Sequence, residues 1–231
     1  MENKNIPAHV GIIMDGNGRW ATLRGKKRSY GHKAGSDNVE RITEHAFDTG
    51  VKTLTLYAFS SENWARPKEE VDELMRLLEV YLKRFLKKLQ RENIRLFITG
   101  DVSALSDRLQ KVIQDSEDAT ENNTSGVLNL AINYGARQEI VHAVNKLIEK
   151  GDPITVDNIS ANLYTAEFGE PDLIIRTGGE LRLSNFLLYQ GAYAELYFTD
   201  VLWPDFDEKE FDKALDAFSS RHRRFGKVEE S

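Results

Sequence analysis

Asp15 ends an apolar run, Val10 to Met14, and is followed at once by Gly16, Asn17, Gly18, Arg19 and Trp20. An acid, two glycines and a base directly after a segment with the look of a buried strand suit the chemistry of an anion. Glycines let backbone N–H groups approach a phosphate closely, and arginine offers a forked donor for its oxygens. An aspartate beside them is the hard oxygen ligand that Mg²⁺ takes. Two further stretches carry the same residue types: Ser60, Ser61, Glu62, Asn63 and Trp64 with Arg66, and Arg176, Gly178 and Gly179 with Arg182, Leu183 and Ser184.

Taken singly, each part has a plain structural explanation. A strand-end aspartate commonly caps a turn, and a lone Gly-x-Gly is weak. "DGNG" is neither a P-loop nor the three-glycine dinucleotide fingerprint. Together, four arginines and four glycines from separate loops point to a diphosphate-type site. Glu195 adds a carboxylate in an aromatic setting, "AYAELYF", where an ionised acid is costly unless paired or bound to metal. A salt bridge to an arginine is the commoner solution; sharing Mg²⁺ with Asp15 is the alternative. Among the histidines, His9, His45, His142 and His222 have no reading beyond surface or packing positions, and no pair has metal-ligand spacing.

Behind these loops must stand elements that bring them together. Apolar runs of strand length occur at 10–14, 53–59, 94–99, 127–132, 173–175 and 194–198, with helical patterns near 35–48, 68–91, 104–120, 136–149, 156–165 and 208–220. Such alternation predicts an α/β fold: a single domain with a mostly parallel six-stranded sheet flanked by helices. Gly50, Pro67, Ser103 and Gly151 stand where helix ends need them. All but the last of these strands empty into one of the polar or glycine-containing loops, and in a parallel sheet those ends share one edge, where ligands bind. The helix at 68–91 carries Val71, Leu74, Leu78, Tyr81, Leu82, Phe85 and Leu89 at helical spacing. Packing on the sheet accounts for that pattern, and so does lining a cavity for an apolar ligand.

Composition sets the outer limits. The 231 residues allow one domain with a sizeable core. A net charge of −6 provides no global basic field for nucleic acid. The absence of cysteine excludes disulfides and thiolate metal sites and fits a reducing compartment. No segment approaches the roughly 18 apolar residues of a membrane span. A cytoplasmic protein is expected, with residues 1–8 and 227–231 flexible at its ends.

The blocks "HVGIIMDGNGRWA", "GHKAG", "LYAFSSENWARP", "NLAINYGAR", "DLIIRTGGELRLSNFLLYQGAYAELYFTDVLWPDF" and "RHRRFG" resemble the cis-prenyltransferases over nearly the whole chain. The resemblance implies repeated condensation of isopentenyl diphosphate onto farnesyl diphosphate with Mg²⁺. A long polyprenyl diphosphate of undecaprenyl type results, the precursor of a lipid carrier for cell-wall synthesis. By similarity, the loop from Asp15 through Gly16, Asn17, Gly18, Arg19 and Trp20 holds the allylic diphosphate with Arg28 and His32. Arg176, Arg182 and Ser184, with Leu183 between them, hold isopentenyl diphosphate, and Asp15 and Glu195 engage the metal. Ser60, Ser61, Glu62, Trp64 and Arg66 orient substrate. Asn63 is the position associated with proton removal, although an amide is a poor base and suits a positioning role better.

The family likeness also implies a hydrophobic tunnel, for which Ala58, Leu78, Leu82, Phe85 and Leu130 are candidates. It implies a homodimer too, in which Arg224 and Gly226 reach the partner's isopentenyl diphosphate site, and a transient, peripheral membrane contact for product release. Two departures stand out: Leu181 replaces a histidine that adds to the metal shell in some relatives, and Ala136 replaces a common glycine. Two other classes compete. A non-catalytic subunit of the same fold typically loses the "DGNGR" acid and the "SSENW" block, both intact here. A kinase or phosphatase would lack support from any Walker lysine motif.

Overall fold

All six apolar runs become strands of one sheet. They are β1 (His9–Ile13), β2 (Thr53–Ser60), β3 (Ile94–Thr99), β4 (Gly126–Tyr134), β5 (Leu173–Arg176) and β6 (Glu195–Phe198). Every pairing is parallel, in the order β3-β4-β2-β1-β5-β6. The computed structural model describes residues 5–221. Among the described residues seven α-helices accompany the strands: α1 (Asn17–Leu23), α2 (Arg28–Asp48), α3 (Lys68–Arg91), α4 (Asp107–Asp118), α5 (Ala136–Lys150), α6 (Val156–Ser160) and α7 (Glu208–Ser219).

One face of the sheet presents Val10, Ile12, Leu54, Leu56, Leu96, Leu128 and Leu130, and α2, α3, α4 and α7 pack their apolar stripes on it. The other face buries Ile13, Ala131 and Ile174 against Tyr134, Phe186 and Leu187. A parallel sheet covered on both sides needs continuous apolar strands, and β1 and β5 are buried at every position.

The helices depart from the sequence pattern in two places. Residues 17–23, which read as loop, form α1, and α2 starts at Arg28 rather than 35. Glycine hides both. A Cβ on Gly31 would lie 1.9 Å from the Asn17 carbonyl oxygen, and one on Gly35 would lie 2.1 Å from Asn17 Oδ1. These glycines are where α1 and α2 touch, not where the helix breaks. At the start of the chain, residues 5–8 are also tied down, contrary to the flexibility expected of 1–8. Ile6 packs on the core, and the Ala8 carbonyl accepts from the N–H groups of Lys52 and Thr53.

A polar chain crosses the sheet on the face opposite α3. Nδ1 of His9 lies 3.2 Å from the Gly169 carbonyl, which can only accept, so Nδ1 carries the proton. Nε2 then accepts from Thr55 Oγ1 at 2.7 Å, Thr55 accepts from Asn129 Nδ2, and Asn129 Oδ1 accepts from Thr99. Burial holds the His9 pKa down, from 6.5 to about 4, against the smaller opposing pulls of Gly169 and Asp172. Between those pH values the unfolded chain binds a proton that the folded chain refuses, so stability falls as pH drops. The loss expected from this residue is about 3 kcal/mol. Urea unfolding of wild type and His9→Gln from pH 7.5 to 4 checks it: the stability gap between them should narrow toward low pH, and a constant gap would refute it.

Candidate active site

Around β1 the strand order reverses, with β2 on one side and β5 on the other, which opens a crevice at the carboxyl ends. Asp15 follows β1, Ser60 ends β2 and Arg176 ends β5. A cavity of about 860 Å³ lies there, lined by Asp15, Asn17, His32, Ser60, Asn63, Arg66, Arg176, Arg182 and Ser184, with Met14, Ala58 and Leu74 at its apolar side. Three separate sequence blocks thus meet as the pattern predicted.

Arg176 organises one half. Its side chain is only 5% exposed. Nη2 donates to Asp15 Oδ2 at 3.0 Å, and Nη1 donates to Ser184 Oγ at 2.7 Å and to the Arg182 carbonyl. Ser184 and Asn185 both have positive φ, 47° and 64°, a left-handed conformation that costs energy and is kept by its surroundings. The Tyr57 hydroxyl shares its one hydrogen between the Tyr134 carbonyl at 3.1 Å and the Ser184 carbonyl at 3.3 Å. Asn185 accepts from the Arg137 N–H and donates to Glu62 and Gln138.

Asp15 itself sits between bases. Oδ1 is 3.4 Å from Arg19 Nη2, and the Asp15 N–H donates to Thr177 Oγ1. Gly178, at φ +85°, makes room for Arg19: a Cβ there would come within 2.7 Å of Nη2.

The other half is built around Glu70, in the first turn of α3. Its carboxylate lies 2.9 Å from Arg66 Nη1, 3.5 Å from Arg28 Nε and 3.5 Å from His32 Nε2. Burial pushes the Glu70 carboxyl up, but Arg28, Arg66 and His32 together outweigh it and hold the pKa below the ordinary value. Burial, with Arg66 and Arg28 alongside, holds the His32 imidazole below its own ordinary value, and Nε2 is buried without a hydrogen bond. Gly18 lies under the Arg28 guanidinium, whose Cζ would be 2.6 Å from an added Cβ.

Ser60 and Asn63 form a reciprocal cap. Ser60 accepts from the Asn63 N–H, and Asn63 Oδ1 accepts from the Ser60 N–H at 3.2 Å. The amide oxygen is therefore occupied, and the Nδ2 donor is what Asn63 offers to a ligand. Trp64 donates to Asn133 Oδ1 at 2.8 Å and meets Phe59 edge-on, which fixes the turn after β2.

A second cavity of about 670 Å³ continues from the first beneath α2 and α3. Met14, Asn17, His32, Ala58 and Leu74 line both, so a polar, basic chamber opens directly into an apolar one. Of the expected tunnel residues, Ala58, Leu78 and Leu130 line it, together with Tyr81. Leu82 and Phe85 do not: they are 2% and 1% exposed and belong to the packed core.

Residues 13–226 match the family model described as "Putative undecaprenyl diphosphate synthase". The chain belongs to the cis-prenyltransferase family. It is 53% identical over 226 residues to an isoprenyl transferase of Fusobacterium nucleatum, covering 97% of this chain and 98% of that one. It is 52% identical over 238 residues to ditrans,polycis-undecaprenyl-diphosphate synthase ((2E,6E)-farnesyl-diphosphate specific) of Escherichia coli K12, covering 98% and 94%. The crystal structure of lavandulyl diphosphate synthase from Lavandula x intermedia, in complex with dimethylallyl diphosphate, superposes with a TM-score of 0.93 at 39% identity, covering 96% of this chain and 99% of that one. A probable undecaprenyl diphosphate synthase from Campylobacter jejuni gives 0.84 at 36%, covering 96% and 100%.

Within this cis-prenyltransferase several sequence-derived site residues lie elsewhere. Glu195 does not meet Asp15 in one chain. It starts β6, paired with Leu173 at the level of Val10 and about 10 Å of strand rise below Ile13. Its carboxylate accepts from Arg221 at 2.5 Å, the salt bridge that its aromatic setting equally allowed. Trp20 turns its indole N–H to Asp205 at 2.6 Å and stacks on Tyr30, away from the cavity lining. Gly16, Gly18, Arg19, Arg28, Ser61, Glu62, Trp64 and Leu183 surround the site without lining the cavity. Arg224 and Gly226 lie outside the described residues.

Sequence reasoning missed Glu70, Tyr57 and Asn185. Glu70 has the appearance of an acid in a helix's first turn, and Tyr57 that of a strand aromatic. Tyr57, in "LYAFSSENWARP", and Asn185, in "RLSNF", stood inside motifs that could have drawn notice; Glu70 did not. The donor set also bears on the metal. Among the described residues Asp15 is the sole carboxylate lining the cavity, which fits Mg²⁺ held by one carboxylate and completed by substrate phosphates.

Proposed function

We infer that the chain extends farnesyl diphosphate with isopentenyl diphosphate to a long polyprenyl diphosphate of undecaprenyl type. The observation that carries this is the junction of the two cavities: a basic chamber for diphosphates leading into an apolar one for a hydrocarbon. The name of the Escherichia coli relative supports the substrate and the product. Asn17 at the start of α1, with Arg19, Arg28 and His32, would hold the allylic diphosphate; Arg176, Arg182 and Ser184 would hold isopentenyl diphosphate.

In each cycle the allylic C–O bond breaks, and the isopentenyl double bond supplies the electron pair for the new C–C bond. A proton then leaves the extended chain. The arginines stabilise charge as it gathers on the departing diphosphate, and binding two diphosphates side by side converts the encounter into a local reaction. Asn63 offers a donor rather than a base, so it orients the isopentenyl group and a departing diphosphate oxygen takes the proton. Mg²⁺ at Asp15 would add Lewis-acid neutralisation of that leaving group. A homodimer, completed by the segment that contains Arg224 and Gly226, is part of this proposal. So is a transient membrane contact, since no helix among the described residues is long and apolar enough to cross a membrane.

The test uses purified protein, Mg²⁺, farnesyl diphosphate and labelled isopentenyl diphosphate in mild detergent, with products resolved by length. A ladder ending at undecaprenyl and lost in Asp15→Ala is expected; no incorporation by folded protein would refute the reading. In the same assay Ala58→Leu, at the junction of the cavities, should shift the products to shorter chains. An unshifted ladder would remove Ala58 from the path of the chain.

A further inference from the structure

Asn185 stands where the loops after β2, β4 and β5 meet. Its carbonyl oxygen accepts from the Ala136 N–H at 2.8 Å, and its Oδ1 accepts from the Arg137 N–H at 2.9 Å, so the turn after β5 is fastened to the first turn of α5. Nδ2 donates to Gln138 Oε1 at 3.0 Å, also on α5, and to Glu62 Oε1 at 2.8 Å, in the turn after β2. A side-chain amide has one acceptor oxygen and two N–H donors, and here each of them has a partner in another segment. The crossing is close. Gly135 adjoins it, and a Cβ there would come within 2.4 Å of Gln138 Oε1, 2.5 Å of Asn185 Nδ2 and 2.7 Å of Ser61 Oγ.

The two turns joined in this way bear different parts of the cavity lining. Ser184, which Arg176 anchors, is next to Asn185, and Asn63 is next to Glu62. Among the described residues the bond from Asn185 to Glu62 is the only hydrogen bond or ion pair between residues 60–66 and 182–187. The second turn needs support, because Ser184, Asn185 and Leu187 all have positive φ, 47°, 64° and 43°, a strain that persists only where the surroundings hold it. Asparagine tolerates that conformation better than most residues, which accounts for an asparagine at 185 but not for the three partners of its side chain. The bond to Glu62 lies near the surface, where such contacts contribute little to stability. What it supplies is position.

We propose that Asn185 is a positioning residue for the condensation: it fixes the turn that bears Asn63 against the turn that bears Ser184, and so sets where the isopentenyl double bond lies relative to its own diphosphate. The proposal rests on the function inferred above. Arg176 and Ser184 hold the diphosphate end and Asn63 orients the alkene end. A shift of about 1 Å between them takes the alkene off the line of the breaking C–O bond, at a cost of roughly a hundredfold in rate. The allylic diphosphate is held independently, since Asn17, Arg19, Arg28 and His32 lie on α1 and α2, to which Asn185 makes no hydrogen bond among the described residues.

Two variants separate the side chain from the turn. Asn185→Gly keeps the left-handed conformation without strain and removes the side-chain bonds. Its rate of first condensation should fall about a hundredfold, with KM for farnesyl diphosphate unchanged. A wild-type rate in Asn185→Gly would mean that asparagine serves the backbone alone, and would overturn the proposal. Asn185→Asp keeps both shape and conformation but turns a carboxylate oxygen toward the Glu62 carboxylate, and a similar loss is expected. Adding Glu62→Gln to it should regain about tenfold of that loss, the coupling expected of residues in contact. The new amide can donate where the aspartate now accepts, and the Gln138 amide can turn to do the same. A double variant as slow as Asn185→Asp also overturns the proposal.

Amide hydrogen exchange of the protein alone reads the link without substrate. Residues 61–66 should exchange faster in Asn185→Gly than in wild type, with β1 and β2 unchanged. Equal exchange in the two would show that Asn185 does not hold the turn. Wild type that elongates nothing, while its exchange differs from that of the variant as expected, would remove the inferred function and the role in condensation with it, while leaving the link between the turns intact.

Discussion

Replacing Arg176 by lysine is expected to lower kcat/KM for isopentenyl diphosphate by roughly a thousandfold, as befits a buried charge that loses most of its partners. The guanidinium serves three neighbours at once: Asp15 through Nη2, and Ser184 and the Arg182 carbonyl through Nη1. A lysine ammonium has a single point of charge and cannot span them. Two losses then combine. The left-handed Ser184 turn loses its side-chain anchor, and Asp15 loses the donor that fixes it, so both diphosphate positions are disturbed. Arg182→Lys provides the contrast. That side chain is 63% exposed and among the described residues pairs only with Glu180, and lysine keeps the charge it would offer isopentenyl diphosphate, so its replacement should cost no more than about tenfold. Steady-state kinetics on both variants, with far-UV circular dichroism as the check on folding, decide the matter. Similar losses in the two would mean that charge alone, and not the buried fork, serves the site.

The sheet was legible because parallel strands covered on both faces leave a plain mark, continuous apolar runs, and each of the six runs became a strand. The edge that carries the site was legible for the same reason, since the loops after those runs carry the glycines and arginines. What stayed hidden depends on approach in three dimensions. Gly16, Gly18, Gly31 and Gly35 suggest a loop in a one-dimensional pattern, yet Gly18, Gly31 and Gly35 lie within helices and accept Arg28 and Asn17 at distances no Cβ allows. Glu70 resembles any acid in a first helical turn, and its three basic neighbours come from other segments. Glu195 left two partners open. Its aromatic surroundings required a partner, but they could not say whether that partner was a metal or an arginine; within one chain the fold supplies Arg221.

Gly31→Ala turns this lesson into a result whose sign decides. In an ordinary helix interior the change from glycine to alanine stabilises by about 1 kcal/mol. Here the new methyl would fall 1.9 Å from the Asn17 carbonyl oxygen, a backbone atom that cannot swing aside. Helix α2 must move off α1, and destabilisation of about 3 kcal/mol is expected, at the upper end for forced overpacking. The movement separates Asn17 from His32, which both cavities share, so KM for farnesyl diphosphate should rise while the helix content by circular dichroism is retained. Equilibrium urea unfolding reads the first effect and initial-rate kinetics the second. A stabilised variant would show that the α1–α2 crossing has slack, and the tight seat of the allylic diphosphate between these helices would then have to be given up.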